Sequence, residues 1–285
     1  MSTIAFLGTG LLGSAFAEAA SKRGDTVTAW NRSVEKAQAL VPFGVTVAAN
    51  PAEAVRHAQR VHIVLKDDAS VDEVLAAARA GLLHDAIIID HTTTLPTLTA
   101  ARAQRLKAEG VKYLHCPVFM GPAAARNAQG TMMVAGPGEY FESVKADLQK
   151  MTHRLEYMGE RTDLAAVNKL FGNAMILGVA AVMADVFTMA QASDVSSENA
   201  LKLFGFFDLN AVASGRGANM AKGDFTPSFE LTMARKDIGL MLETAGDRPM
   251  ATLPGIAARM DQLIAAGYGA KDCSVIGIDA VQRRE

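Results

Sequence analysis

Lys169 and Asn173 stand four residues apart in the stretch Asp163 to Asp194, DLAAVNKLFGNAMILGVAAVMADVFTMAQASD. On an α-helix this spacing puts both side chains on one face, one turn apart. Lys169 is the only lysine of the stretch. An ammonium among apolar neighbours stabilises a developing oxyanion and can donate its proton to it; desolvation fits the same amine for base work in the reverse direction. An amide one turn on orients a substrate with both a donor and an acceptor. Position alone favours the plainer reading, a solvated helix lysine.

A second set of residues suits phosphate. Gly8-Thr9-Gly10-Leu11-Leu12-Gly13 follows the apolar run Thr3 to Leu7 at once and opens an Ala-rich helical stretch that reaches Arg23. In this context Gly8 allows the tight turn, Gly10 lets a pyrophosphate approach the backbone and Gly13 lets helix and strand pack closely. The helix N-terminus supplies free N–H groups and partial positive charge. The next strand, Thr26 to Trp30, ends in Asn31-Arg32-Ser33. A site for NAD usually carries Asp or Glu there to hold the ribose 2'-hydroxyl, and a carboxylate would repel a 2'-phosphate that Arg32 would pair with. The cofactor expected is therefore NADP(H), with Ser33 also placed to cap the following helix.

The elements that position these residues read as α/β units followed by helices. Val45 to Ala48, Val61 to Leu65, Ala86 to Asp90, Lys112 to Cys116 and Gly130 to Gly136 are strand-like, and Tyr140 to Met151 is helical. Nearly continuous apolar strands are covered on both faces, as in a doubly wound, mostly parallel sheet. Ligands of such sheets lie at the carboxyl ends of the strands, which assigns Leu65, Lys66, Asp67, Thr92 and Thr93 to the cofactor. His91 lies on that rim and is read as structural, since no partner for it is legible. The loop Pro117 to Ala125, with Gly121 before Pro122, either binds an oxyanion or is only a turn. From Asp163 the pattern is helical throughout: Ser193 to Phe204, Ala211 to Met220, Leu231 to Ala245 and Pro254 to Ala266. The expected division is 1–161 for the cofactor and 162–285 for substrate and dimerisation. The two are joined by a helix over about 163–193, about 45 Å long at 1.5 Å per residue.

Composition narrows the partners. A formal charge of -2 offers no basic face for nucleic acid or anionic membrane. Two cysteines make no disulfide framework, and six histidines show no zinc-type spacing, so no metal is expected. MSTIAFLGTG has neither the basic nor the long apolar region of a signal peptide, and the expected location is the cytoplasm. The unbroken apolar run Ala174 to Ala184 falls short of the roughly 18 to 20 residues of a bilayer span, so the long helix is expected to be buried in a soluble protein. A helix too long for one small domain to cover predicts a homodimer.

FLGTGLLGSAFAEAASKRGDTVTAWNRS, DHTTTLP, PVFMGPAAARNAQGTMMVAGP, NKLFGNAMI and ARKDIGLMLETA together resemble the NAD(P)-dependent β-hydroxyacid dehydrogenases, relatives of the imine reductases. The resemblance covers nearly the whole chain. It implies an α/β Rossmann domain joined by a long interdomain helix to an all-α domain that takes part in dimerisation. It implies that Lys169 is the catalytic acid/base, that Asn173 binds substrate, and that Lys236 and Asp237 contact cofactor and substrate. It thereby reverses the plainer reading of Lys169. The implied reaction is reversible hydride transfer between NADPH and a small-molecule carbonyl. The substrate loop, usually P-V-S-G-G, is PVFMG here, so Phe119 and Met120 replace a hydroxyl and a glycine beside Gly121. That change points to a larger or less polar carbonyl compound. Imine reduction is the alternative, although imine reductases replace the lysine; a non-catalytic NADP(H)-binding protein would have no use for Lys169, Asn173 and Lys236 together.

Overall fold

The computed structural model describes residues 2–281 and divides into two compact units, Met1–Asn173 and Ala174–Glu285. The first holds β1 (Thr3–Leu7), β2 (Thr26–Trp30), β3 (Thr46–Val47), β4 (Arg60–Ile63), β5 (Ile87–Asp90), β6 (Lys112–His115), β7 (Val118–Phe119), β8 (Thr131–Ala135) and β9 (Arg154–Gly159). They form one sheet in the order β3-β2-β1-β4-β5-β6-β8-β7, with β9 paired to β8. Pairing is parallel from β3 to β6 and antiparallel where β8 meets β6 and β7. The strand order reverses between β1 and β4, which opens a crevice at their carboxyl ends. The register makes that edge level: Leu7 lies opposite both Trp30 and Ile63, and Ile63 opposite Asp90.

The sheet is covered on both faces because its strands are apolar at consecutive positions. Ile87 and Ile89 pack into one cluster with Phe6, Phe16 and Leu114, whereas Ile88 packs into the other with Leu7, Val61 and Ile63. Side chains alternate across a strand, so only an unbroken run such as Ile87-Ile88-Ile89 can serve both layers. β7 and β9 were not legible in the sequence: β7 has two residues, and β9, RLEYMG, lacks alternation.

The second unit is helical. Its core joins Leu231, Ala234 and Ile238 of the helix Leu231–Ala245 to Ala257, Met260 and Leu263 of the helix Leu253–Leu263. The stretch expected to be one helix from Ser193 to Phe204 is broken instead. Asp194 takes φ 56°, and Ser196 caps a new short helix, Ser197–Leu201, by accepting the N–H of Asn199. Asp185 ties the long helix to this unit by accepting hydrogen bonds from the N–H groups of Ala251, Thr252 and Leu253 and from the Thr252 hydroxyl. Burial works to raise the pKa of that carboxyl, but these donors outweigh it and hold the group below its ordinary value.

The long helix runs Leu164–Ala192, and the boundary between the units falls inside it, after Asn173. Its expected burial does not hold within one chain. Ala165, Ala166, Asp185 and Ala190 are buried, but Phe171, Met175, Ile176 and Leu177 are between 57% and 69% exposed. The expectation that its apolar stretch is too short for a bilayer does not hold either. A window of 18 residues with mean hydropathy 1.9 makes this helix long and apolar enough to cross a membrane by length and composition, because such a window tolerates an isolated charge.

Candidate active site

Three glycines shape the turn after β1, each for a different reason. Gly8 has φ +101°, and a Cβ there would meet the carbonyl oxygen of Val64 at 2.2 Å. A Cβ on Gly13 would meet the carbonyl oxygen of Gly8 at 2.1 Å, so the helix Leu11–Lys22 approaches the turn as closely as backbone allows. Gly10 faces open space, with nothing within 4 Å of its Cβ position. It is also the N-cap of that helix; no side chain caps it, and no acidic residue lies in the first turn. Gly8 and Thr9 spend their N–H groups on Trp30 and Asn31, but among the described residues those of Gly10, Leu11, Leu12 and Gly13 meet no acceptor and are free for an anion, and the Thr9 hydroxyl, buried beside them, has no partner there either. This cradle fits a dinucleotide pyrophosphate.

A cavity of about 520 Å³ continues from the cradle along the level strand ends, lined by Gly10, Leu11, Leu12, Asn31, Arg32, Ser33, Leu65, Lys66 and Thr93, all expected from the sequence. Trp30 and Lys36 at the β2 end, Val64, Ser70 and Val74 after β4, and His91 after β5 complete the wall. Of the lining residues not expected from the sequence (Trp30, Lys36, Val64, Ser70 and Val74), Lys36 is the one that brings a charge. Its place one turn into the helix Val34–Gln38 was the available signal. Arg32, Lys36 and Lys66 line the cavity and no carboxylate does.

Several expected cofactor residues hold the wall in shape. Asn31 accepts the N–H of Thr9 at 3.0 Å and donates to the Ser33 carbonyl at 3.0 Å, which links the glycine turn to the end of β2. Thr92 is buried, and its hydroxyl accepts the N–H of Leu65 at 3.1 Å; its own N–H is held by Asp90 at 2.9 Å. Asp67 caps the helix Asp68–Ala78 through the N–H of Ser70. Ser33 sits at an N-cap position, but its side chain makes no capping hydrogen bond. Arg32 pairs with Glu73 at 2.9 Å, both side chains being about two-thirds exposed.

His91 borders the cavity with a buried ring. Its Nδ1 lies 2.7 Å from the Cys116 carbonyl and must carry the proton, so Nε2 accepts from Nδ1 of His62 at 2.9 Å. His62 in turn stacks on Phe6. Burial pushes the pKa of His91 down to about 4 and that of His62 well below its ordinary value. Both rings are neutral at pH 7, which makes His91 a structural link between the cavity wall and β6.

That link leads to the loop after β6. Phe119, three residues beyond Cys116, lies in β7, and the Lys169 Nζ is 4.2 Å from its ring centroid. Lys169 is half-buried on the first turns of the long helix, and burial lowers its pKa. Asn173 lies one turn on, also half-buried. Met120 packs against the core of the sheet, and Gly121 is the N-cap of the helix Pro122–Arg126, so the stiff loop turns directly into a helix. Lys236 and Asp237 belong to the second unit, where they pair with each other at 2.6 Å on the helix Leu231–Ala245.

Sheet order, glycine cradle and cavity define a dinucleotide-binding Rossmann protein. Residues 3–159 match the model of the NAD binding domain of 6-phosphogluconate dehydrogenase, and the chain belongs to the β-hydroxyacid dehydrogenase family. It is 29% identical to the 3-sulfolactaldehyde reductase of Escherichia coli, over 97% of this chain and 95% of that protein. It is 27% identical to glyoxylate/succinic semialdehyde reductase 1 of Arabidopsis thaliana, over 98% of each. Among solved structures, an imine reductase of Streptomyces aurantiacus superposes with a TM-score of 0.89 at 22% identity, covering 99% of this chain and 100% of that one. The chemistry of the chain is nicotinamide-dependent oxidoreduction.

The buried histidines make stability depend on pH. A histidine that is neutral when folded, with a pKa near 4, takes up a proton on unfolding between about pH 4 and its unfolded value of about 6.5. The unfolded state thus binds more protons across that window, and stability falls as the pH is lowered through it. His91 alone contributes a loss of about 3 kcal/mol between pH 7.5 and pH 4. Urea melts across this range are expected to show the loss, and His91→Gln to flatten it.

Proposed function

We propose that the protein reduces a small-molecule carbonyl compound with NADPH, reversibly, and that Lys169 is the proton donor. The observation that carries this reading is the half-buried ammonium of Lys169 beside the substrate loop, in a chain whose cavity fits a nicotinamide dinucleotide. The bound cofactor supplies the hydride. Negative charge then develops on the carbonyl oxygen, where the Lys169 ammonium stabilises it and hands over a proton, leaving a neutral amine and an alcohol. Partial desolvation suits both directions, since it brings the amine closer to neutrality at working pH. Asn173, one turn on, is the substrate-orienting amide. The first unit takes the cofactor, and the helical unit takes part in the dimer.

The preference for NADP(H) rests on Arg32, Lys36 and Lys66 lining the cavity without a carboxylate. A 2'-phosphate must draw the Arg32 guanidinium from Glu73, and an exposed pair of this kind holds by only about 0 to 1 kcal/mol. A doubly charged phosphate competes well against that. The Ser33 hydroxyl, not used as a cap, is a further donor for it.

The apolar residues exposed along the long helix, Phe171, Met175, Ile176 and Leu177, fit a second copy of this chain. A lipid bilayer is the poorer cover for this helix, because Asp185, Lys169 and Asn173 all lie on it.

Three outcomes are expected. Lys169→Ala lowers kcat toward the best carbonyl substrate by about 10² to 10⁴, and Lys169→Arg restores little because guanidinium holds its proton. A normal kcat in the alanine variant, or faster turnover of a cyclic imine by the unmutated enzyme, moves the assignment to C=N reduction. Arg32→Ala weakens NADPH by roughly ten- to a hundredfold and leaves NADH nearly untouched in fluorescence titrations, as the loss of one charge-assisted contact requires. Light scattering at micromolar concentration gives the mass of a dimer in buffer without detergent.

A further inference from the structure

Phe119 stands where the related enzymes usually carry a serine, and two contacts explain what its ring does. The Lys169 Nζ lies over the ring, 4.2 Å from the centroid. A Cβ built on Gly172 would fall 2.1 Å from Cζ of the ring and 2.7 Å from Cε1. The ring edge therefore rests on bare helix backbone, in space that any residue but glycine would fill. Pairing with Thr131 fixes the Phe119 backbone, and its side chain packs against Met133, Ala135 and Ala165.

We propose that Phe119 is the positioning residue of Lys169, and that position 172 is glycine because the ring needs that space. The catalytic consequence rests on the reading of Lys169 as proton donor; the interlock of Phe119, Gly172 and Lys169 does not. A lysine has a long flexible stem, and among the described residues no ion pair or hydrogen bond fixes Nζ of Lys169. An aromatic face holds a cation by its quadrupole without accepting the proton. A carboxylate in its place would fix the ammonium more firmly and make it a weaker acid. The ring thus holds the ammonium in place and leaves its proton available, while its attraction for the charged form opposes the effect of burial.

Two experiments test this together. In Phe119→Leu the apolar volume is kept and the aromatic face is lost. The pKa of Lys169, followed by NMR of ¹³C-methylated lysines and assigned with Lys169→Arg, is expected to fall by about half to one pH unit. The kcat is expected to fall by about three- to tenfold, with the KM for NADPH unchanged. Gly172→Ala, which displaces the ring, should lower kcat in the wild-type background and cost almost nothing further in Phe119→Ala, because the two changes act on one contact. An unchanged Lys169 pKa in Phe119→Leu, or an equal cost of Gly172→Ala in both backgrounds, overturns the proposal. If Lys169→Ala keeps its kcat while the pKa still falls in Phe119→Leu, the interlock stands and the proton-donor reading fails.

Discussion

The cofactor site depends on the close backbone approach between the glycine turn and the helix that follows it. The Gly13 Cβ position lies 2.1 Å from the Gly8 carbonyl, and that of Gly8 lies 2.2 Å from the Val64 carbonyl, so turn, helix and β4 meet backbone to backbone. Side chains at either position would push the helix outward. Its N-terminal N–H groups would then no longer face the open space at Gly10, and an anion would lose donors that already point the right way. The level strand ends set by Leu7, Trp30, Ile63 and Asp90 carry the other loops to the same edge.

Electrostatics around the cavity work by the same principle of fixed geometry. Side-chain cations line the wall, while the buried polar groups behind it are neutral or fully occupied. His62 and His91 pass one hydrogen-bond direction toward the Cys116 carbonyl, and Asp90 is taken up by Tyr113 and Thr92. Polar groups arranged in this way hold the loops without adding free negative charge beside the glycine cradle. Arg32 and Lys66 are exposed and paired with the surface carboxylates Glu73 and Asp67, contacts of the weakly held kind.

The long helix carries two kinds of polar residue with different tasks. Asp185 is saturated by donors from Ala251 to Leu253 and secures the helix to its own unit. Among the described residues the Lys169 ammonium makes no ion pair or hydrogen bond and lies over an aromatic face. A saturated carboxylate lends rigidity; an ammonium over a ring is attracted by the ring quadrupole. Between them the helix shows an apolar surface that a single chain leaves open, which is why its hydropathy suggested a buried element.

Much of the cofactor site was legible because it is local. The glycine spacing, the strand ending in Asn31-Arg32-Ser33 and the 3.6-residue period that joins Lys169 to Asn173 depend on neighbours within a few positions, where backbone geometry decides the outcome. The Ile87-Ile88-Ile89 run likewise announced a strand covered on both faces. The sequence by itself also determined that no carboxylate ends β2. Only the tertiary structure decided that Glu73 engages Arg32, that Lys36 turns into the cavity, that Thr92 holds Leu65, and that the Phe119 ring lies beneath Lys169 against Gly172. These partners are far apart in the chain or turn on side-chain direction. No period in the sequence encodes such a meeting; it follows from how the sheet and the long helix pack.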